Sequence, residues 1–205
     1  MSHLITKEAP DFTATAVMAD NSFNEKFTLS SHRGKYVILF FYPLDFTFVC
    51  PSEILAFDER LKEFKERGAE IIAVSVDSPY THLAWKKTAV AGGGIGPIRY
   101  PIVSDVTKAI SAEYGVLLEK EGIALRGLFL IDREGIVRHS VVNDLSLGRS
   151  VPEALRMLDA LRFVDERGHV CPANWEKGQE GMKPTTEGVV DYLSKYAKRR
   201  AGATA

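Results

Sequence analysis

The sequence predicts an α/β domain built around a central sheet, and three consecutive segments carry this prediction. Residues 36–42 (YVILFFY) are β-branched and aromatic, with nothing polar on either face except tyrosine hydroxyls, which is typical of a strand buried on both sides. Residues 52–67 place apolar side chains at helical spacing with charges between them, and Gly68 ends this predicted helix. A second apolar strand follows at 70–76. Together these segments predict a β-α-β unit with its helix on one face of a parallel sheet.

The next elements follow in order along the chain. Pro79 begins a predicted helix that runs through Val90, and residues 106–114 predict a short one. Two apolar segments, 128–132 and 136–142, flank Arg133-Glu134-Gly135, which is a hairpin signal.

The last part of the sequence predicts a final helix of the domain, followed by an extended arm. Ser150, followed by Pro152 and Glu153, predicts the start of a helix that runs to about residue 166. This helix completes a compact domain at residues 1–167. The remainder, 168–205, contains prolines and several glycines and predicts an extended C-terminal arm with a short helix near its end.

Composition excludes several classes of function. The 26 basic and 27 acidic residues leave a formal charge of -1, so the chain lacks the strong positive field expected of a nucleic-acid-binding protein. The first seven residues contain no apolar core of a signal peptide, and no apolar run approaches the roughly 18 residues of a membrane span. We therefore expect a cytoplasmic protein with neither nucleic-acid nor membrane partners. Its two cysteines would then be metal ligands, inert core residues or redox participants.

Neither a metal nor a bound cofactor is expected. The five histidines show no ligand spacing, and there is no C-x-x-C pair. The glycines at positions 92–96 precede Pro97 and are not followed by Lys-Ser/Thr, so they fit neither a dinucleotide fingerprint nor a P-loop. A plain loop is the better interpretation of this segment.

Cys50 occupies an unusual position, after the predicted central strand and a short loop, at the first turn of the next helix. Pro51 follows it, and proline is favoured at such a helix start. Backbone N–H groups and the positive end of the helix dipole would point towards the sulfur and stabilise a thiolate. Position alone leaves two interpretations open, a reactive thiolate or a small buried apolar residue.

Five ordered motifs give the chain a family resemblance that covers nearly its whole length. The segment Pro43–Cys50 matches the P-x-x-x-T/S-x-x-C signature of the peroxiredoxins, and the chain most resembles the typical 2-Cys subgroup, which includes bacterial alkyl hydroperoxide reductases. The other matching segments are Cys50–Ile54, His82–Trp85, Arg126–Asp132 and Val170–Trp175. The resemblance implies a thioredoxin-like fold with a central mixed sheet flanked by helices.

The resemblance also implies a set of catalytic residues. Cys50 would be the peroxidatic cysteine that attacks hydrogen peroxide or an organic hydroperoxide, and Cys171 of the partner subunit would resolve its sulfenic acid to an intersubunit disulfide. Further residues would act around the sulfur. They are Thr47 and Arg126, which would stabilise the displaced oxygen, Glu53, which would hold Arg126, and Pro43, which would shield the site from water.

The resemblance further implies partners. Thioredoxin or a dedicated flavoprotein would reduce the disulfide, and homodimers would assemble into a decamer. The Gly93-Gly94-Ile95-Gly96 loop matches relatives that over-oxidise readily, whereas Tyr192-Leu193 departs from their Tyr-Phe helix, so we expect intermediate sensitivity.

Three alternative functions compete with this interpretation. A disulfide oxidoreductase would normally have C-x-x-C, and a cysteine hydrolase would need an oriented histidine beside Cys50. From a non-enzyme class, a holdase chaperone is possible as a secondary activity, with Phe46 and Phe48 as interface groups.

Overall fold

The computed structural model describes the backbone of residues 3–203 and the side chains of residues 3–198. A mixed seven-stranded sheet with the order β2-β1-β5-β4-β3-β8-β9 forms the centre, and a two-stranded ribbon, β6-β7, stands apart. The strands are β1 (Thr13–Val17), β2 (Phe23–Thr28), β3 (Tyr36–Phe41), β4 (Ala69–Ser75), β5 (Ile102–Ser104), β6 (Leu117–Leu118), β7 (Ile123–Ala124), β8 (Arg126–Ile131) and β9 (Val137–Asn143). The helices are α1 (Cys50–Glu59), α2 (Leu61–Glu66), α3 (Pro79–Lys87), α4 (Ala109–Glu113), α5 (Val151–Arg167) and α6 (Thr186–Ala203).

The directions of the strands determine which strand ends lie side by side. Strands β3, β4 and β5 are parallel, as the β-α-β pattern predicts, and β8 and β9 form the predicted antiparallel hairpin. Strand β8 also pairs antiparallel with β3, with Phe40 opposite Leu128. The amino end of β8 therefore lies beside the carboxyl end of β3, and the predicted α/β class with a mixed central sheet is confirmed.

Strand β3 is the centre of the core. All six of its residues are buried, because both faces of the sheet are covered. Val37, Leu39 and Phe41 join the apolar cluster on one face. On the other face Phe40 stacks on Phe57 of α1 at a centroid distance of 4.7 Å, which ties this helix to the strand that precedes it.

Some element boundaries differ from those that the sequence predicts. The single helix expected over 52–67 is two helices, because Arg60 leaves the helical region at φ -96° and ψ 6°. The helix expected to reach Val90 ends at Lys87, and a 3-10 turn follows at 90–92. Strands β1, β2 and β5 were not predicted. Strand β2 lies at the sheet edge and has only one buried side chain, and β5 has only three residues, so neither shows a clear apolar pattern.

By its internal contacts the chain divides into two compact units, one up to Leu155 and one from Arg156 onward. In the second unit Trp175 is buried against Phe163, with ring centroids 4.9 Å apart. A single antiparallel bridge joins Val170 to Met182 in the segment between α5 and α6. The functional division into a peroxidase domain (1–167) and an arm (168–205) remains a prediction.

Within the described part of the chain, no helix is both long and apolar enough to cross a membrane. The same residues contain no group of three or more His, Cys, Asp or Glu arranged to hold a metal ion.

The glycine loop after α3 offers a test of the packing. A Cβ atom at Gly94 would lie 1.9 Å from the backbone oxygen of Thr88, whereas one at Gly92 would meet only the Thr88 methyl group at 3.9 Å. We expect Gly94→Ala to lower the free energy of unfolding by about 1–3 kcal/mol, as overpacking of a tight site does. Gly92→Ala should change it by less than about 0.5 kcal/mol. Urea unfolding of both variants checks this, and equal effects would contradict it.

Candidate active site

Cys50 is the first residue of α1 and is completely buried. Strand β3 ends at Phe41, and a loop over residues 42–49 leads from the sheet into this helix. The amides of Ser52 and Glu53 donate to the carbonyl of Val49, which closes the first turn. The sulfur thus lies at the positive end of the helix dipole, as the sequence predicts.

Two side chains donate towards the Cys50 sulfur. The Thr47 hydroxyl lies 3.0 Å from it, and Nη1 of Arg126 lies 3.3 Å from it. Arg126 begins β8, whose amino end lies beside the carboxyl end of β3, so strand pairing brings a residue 76 positions away to the helix start. The structure brings these three predicted residues together, and their catalytic roles remain a prediction.

Glu53 holds two arginines at once. Its Oε2 accepts from Nη1 of Arg126 at 2.7 Å, and Arg149 donates to both carboxylate oxygens, at 2.7 Å from Nε and 2.9 Å from Nη2. Nη1 of Arg149 also donates to the carbonyls of Phe41 and Gly127, at 2.7 and 2.6 Å. All three charged side chains are buried, so the orientation of Arg126 depends on the whole group.

Arg149 is the residue of this group that sequence reasoning missed. It stands between Gly148 and Ser150, just before α5, and only its place beside a predicted helix start could have drawn attention to it. Burial lowers the pKa of Arg149, and its hydrogen bond and ion pair with Glu53 oppose that decrease.

The charges of the group have a direct consequence for the sulfur. Two guanidinium groups and one carboxylate leave a net positive charge next to Cys50, in surroundings from which water is excluded. A positive charge is worth more in such a site than in water, and it stabilises a thiolate or an oxyanion forming beside the sulfur.

The Thr47 hydroxyl has one proton and two acceptors within reach. It lies 2.8 Å from the Leu44 carbonyl and 3.0 Å from the Cys50 sulfur. If the proton goes to Leu44, a lone pair of the hydroxyl oxygen is free to accept the O–H of an incoming hydroperoxide. Thr47 can therefore take either of two roles: it orients a substrate while its proton goes to Leu44, or it donates to a negatively charged sulfur.

A buried polar cluster fixes the loop that carries Thr47. The Asp45 carboxylate lies 2.7 Å from the Tyr42 hydroxyl and 2.7 Å from Nδ1 of His82, and its backbone amide donates to Asp77 at 2.7 Å. Burial, and then the charge of Asp45, raise the pKa of Tyr42 well above its usual value, so this hydroxyl remains a donor. His82 therefore helps to hold this loop in place through its contacts with Asp45 and Tyr42.

The other predicted residues of this loop differ in how far their side chains are buried. Pro43 is buried at the end of β3, and its carbonyl accepts from Ser75 at 3.4 Å. Phe46 is half exposed and packs against Trp85 with centroids 5.7 Å apart, while Phe48 is 97% exposed. The shielding role of Pro43 stays a prediction.

Cys171 lies in the second unit and is partly exposed, with its thiol 3.6 Å from the Ala160 carbonyl. Burial raises the pKa of this thiol, and the nearby charge of Arg156 opposes the rise. Cys171 is therefore mainly protonated at neutral pH and is not itself an activated nucleophile.

A buried thiol at a helix start, contacted by a hydroxyl and a guanidinium, defines an enzyme that acts through a cysteine thiolate. The family model of the AhpC/TSA family matches residues 5–140, and that of the C-terminal domain of 1-Cys peroxiredoxin matches residues 160–195. The chain belongs to the AhpC/TSA family of peroxiredoxins, and it is a peroxidase with an antioxidant role.

Individual relatives agree over nearly the whole chain. Alkyl hydroperoxide reductase C of Helicobacter pylori is 58% identical over 93% of this chain and 96% of its own length. Peroxiredoxin-2 of Mus musculus is 55% identical over 94% and 96%, respectively. The reduced 2-Cys peroxiredoxin of Plasmodium vivax superposes with a TM-score of 0.91 at 55% identity, covering 94% of this chain and all of that one. The expected thioredoxin-like fold is thereby confirmed.

The shared carboxylate yields a prediction for Arg149→Lys. A lysine cannot serve Glu53 and the two backbone carbonyls together, and each buried acceptor left unpaired costs about 1–3 kcal/mol. We expect lower stability and a peroxide rate reduced about 10–100-fold, because Arg126 loses its fixed position. Urea unfolding and stopped-flow kinetics measure both. Arg138→Lys, which alters a partly exposed pair, is the control and should leave both values unchanged.

Proposed function

We propose that the protein is a thiol-specific peroxidase that reduces hydrogen peroxide and organic hydroperoxides at Cys50. In the first step the thiolate attacks one peroxide oxygen, the O–O bond breaks, and a proton completes the leaving alcohol or water. The products are Cys50 sulfenic acid and ROH (RS⁻ + R′OOH + H⁺ → RSOH + R′OH). The observation that supports this step is the pair of donors, Thr47 and Arg126, directed at one buried sulfur.

Thiolate formation alone does not explain a fast peroxidase. Lowering the pKa of a thiol raises its ionised fraction but lowers its intrinsic nucleophilicity, with a Brønsted slope of about 0.4–0.5. The two effects largely cancel. In this proposal the larger gain comes from stabilising the charge that builds on the departing oxygen. The contacts of the Arg126 guanidinium and the Thr47 hydroxyl with the sulfur support that role.

In the proposed second step, the sulfenic acid condenses with Cys171 of the partner subunit (RSOH + R″SH → RSSR″ + H₂O). A relative with a solved structure is described as a 2-Cys peroxiredoxin, which supports a second reacting cysteine here. Since Cys171 lies on a partly exposed segment of the arm, a second subunit could present it.

The proposal extends to partners. Thioredoxin or a dedicated flavoprotein disulfide reductase would reduce the disulfide, and homodimers would assemble into a decamer. One relative is named a thioredoxin peroxidase, from Plasmodium yoelii, which supports thioredoxin as a reductant. We place the reaction in the cytoplasm, where thiols are kept reduced.

Thr47→Val tests the first step. The variant loses the hydroxyl but keeps the shape, so we expect the rate of reaction with hydrogen peroxide to fall by about 10²–10³-fold, as for loss of a preorganised donor. Alkylation by iodoacetamide, which needs only the thiolate, should change by less than about threefold. Thr47→Ser restores the hydroxyl and should recover much of the peroxide rate. An unimpaired peroxide rate in Thr47→Val contradicts the proposal.

The intersubunit disulfide is tested on a non-reducing gel before and after one equivalent of peroxide. We expect a covalent dimer in the wild type and none in Cys50→Ser or Cys171→Ser, since each lacks one sulfur of the bond. An equal mixture of the two variants should give a dimer with a single disulfide. A dimer in either variant alone, or none in the wild type, contradicts the proposed second step.

A holdase chaperone is a second candidate function, favoured by the exposure of Phe48. Its side chain is 97% exposed in the loop that carries Thr47, and exposed aromatic groups bind partner subunits or unfolded chains.

We expect Phe48→Ala to lower protection of a heat-denatured client protein at least twofold while peroxide turnover stays unchanged, because truncation removes apolar contact area. Light scattering and a peroxidase assay measure the two activities. Leu147→Ala, a truncation at another exposed apolar residue, is the control. Full client protection by the Phe48 variant would rule out a holdase role for this residue.

A further inference from the structure

The start of α1 must open during the proposed reaction cycle. Cys50 is completely buried, whereas a disulfide requires two sulfurs about 2.05 Å apart and Cα atoms within about 7 Å. A second cysteine cannot reach a buried sulfur, so the first turn has to unwind before the disulfide forms. How far this unwinding spreads along the helix then matters.

The turn that follows Cys50 is tied to the loop that leads into β5. The Tyr100 hydroxyl donates to the Ile54 carbonyl at 2.7 Å, and both residues are buried. Ile54 is four residues after Cys50, so its amide is the one that bonds to the Cys50 carbonyl in an α-helix. The bond from Tyr100 therefore holds the helix where the first turn ends.

A second contact from the neighbouring residue holds the next turn. Arg99 donates to the Asp58 carboxylate from its backbone amide at 2.7 Å and from its guanidinium at 2.9 Å, and also to the Asp58 carbonyl at 2.7 Å. Arg99 is well exposed, and exposed ion pairs contribute little. The buried bond from Tyr100 is the stronger restraint of the two, because its loss leaves a carbonyl lone pair without a partner away from water.

Ring packing fixes the donor itself. Tyr100 packs edge-on against Phe40 of β3 with centroids 6.0 Å apart, and Phe40 stacks on Phe57 of α1. Burial raises the pKa of Tyr100 well above its usual value, so the hydroxyl keeps its proton. The donor is therefore held against β3 by ring packing, and the acceptor belongs to the helix that must open.

We propose that the Tyr100–Ile54 hydrogen bond is an anchor that limits the opening of α1 and so sets how the Cys50 sulfenic acid divides between two reactions. This inference rests on the proposed function. Opening favours condensation with Cys171 (RSOH + R″SH → RSSR″ + H₂O). The closed helix favours a second peroxide, which oxidises the sulfur to sulfinic acid while the O–O bond breaks (RSOH + R′OOH → RSO₂H + R′OH).

Tyr100→Phe removes the anchor and keeps the ring. Tyr114→Phe is the matched control, because Tyr114 is also buried and its hydroxyl donates to a backbone carbonyl, that of Pro10, at 2.9 Å. Amide hydrogen exchange in the reduced protein, followed in peptides that cover α1, measures opening without any peroxide chemistry. We expect the exchange rate of these amides to rise about two- to tenfold in Tyr100→Phe, which is the change expected from the loss of one hydrogen bond. The rate should not change in Tyr114→Phe.

The chemical consequence is measured by mass spectrometry of Cys50 at rising hydrogen peroxide with a reductant present. The wild type should show intermediate over-oxidation. Tyr100→Phe should need about two- to tenfold more peroxide for the same sulfinic fraction, in proportion to its opening. Arg99→Gln, which changes only the exposed contact, should shift both readings in the same direction by less.

Each outcome decides a separate point. Unchanged exchange in Tyr100→Phe overturns the anchor. Faster exchange with an unchanged sulfinic fraction overturns its control over the two reactions. Absence of a Cys50–Cys171 disulfide in the wild type overturns the proposed second step, and the exchange measurement still tests the anchor.

Discussion

The carboxylate of Glu53 is the interaction on which the site depends. It is buried between two arginines, and one of them, Arg126, points its guanidinium at the Cys50 sulfur. A lone buried carboxylate or guanidinium would be costly, but together they satisfy one another and leave one net positive charge for the chemistry. Because Arg149 also donates to the carbonyls of Phe41 and Gly127, the same group joins α1 to strands β3 and β8.

This arrangement places two demands on one helix. The peroxide step requires a closed first turn, since Thr47 and the amino end of α1 must meet the sulfur. The proposed resolving step would require that turn to open. Glu53 stands at the boundary, because it is part of the first turn and yet is bound to residues of the sheet and the loop before α5. The charged group that favours the thiolate therefore also opposes its exposure.

Sequence reasoning reached the fold class and named most of the residues that the structure brings together around Cys50. The apolar strand at 36–42 and the helix after it are strong local signals, and the motif Pro43–Cys50 located the sulfur and Thr47. Strand β2 and Arg149 were missed for a common reason. An exposed edge strand has little apolar pattern, and a single arginine before a helix has none, so each is recognised only through partners that are distant in the sequence. Tyr100 likewise acts on a helix 46 residues earlier.

The two ends of α1 are restrained in different ways, and this difference would keep the proposed opening short. At the amino end of α1, the amides of Ser52 and Glu53 both donate to the carbonyl of Val49. Apart from Cys50, this turn buries little apolar surface. Further along, Ile54 and Phe57 are completely buried, so unwinding past them would expose apolar side chains at about 1.5–3 kcal/mol each. Opening one turn avoids that cost, and the carbonyl at which it stops is the one that Tyr100 holds.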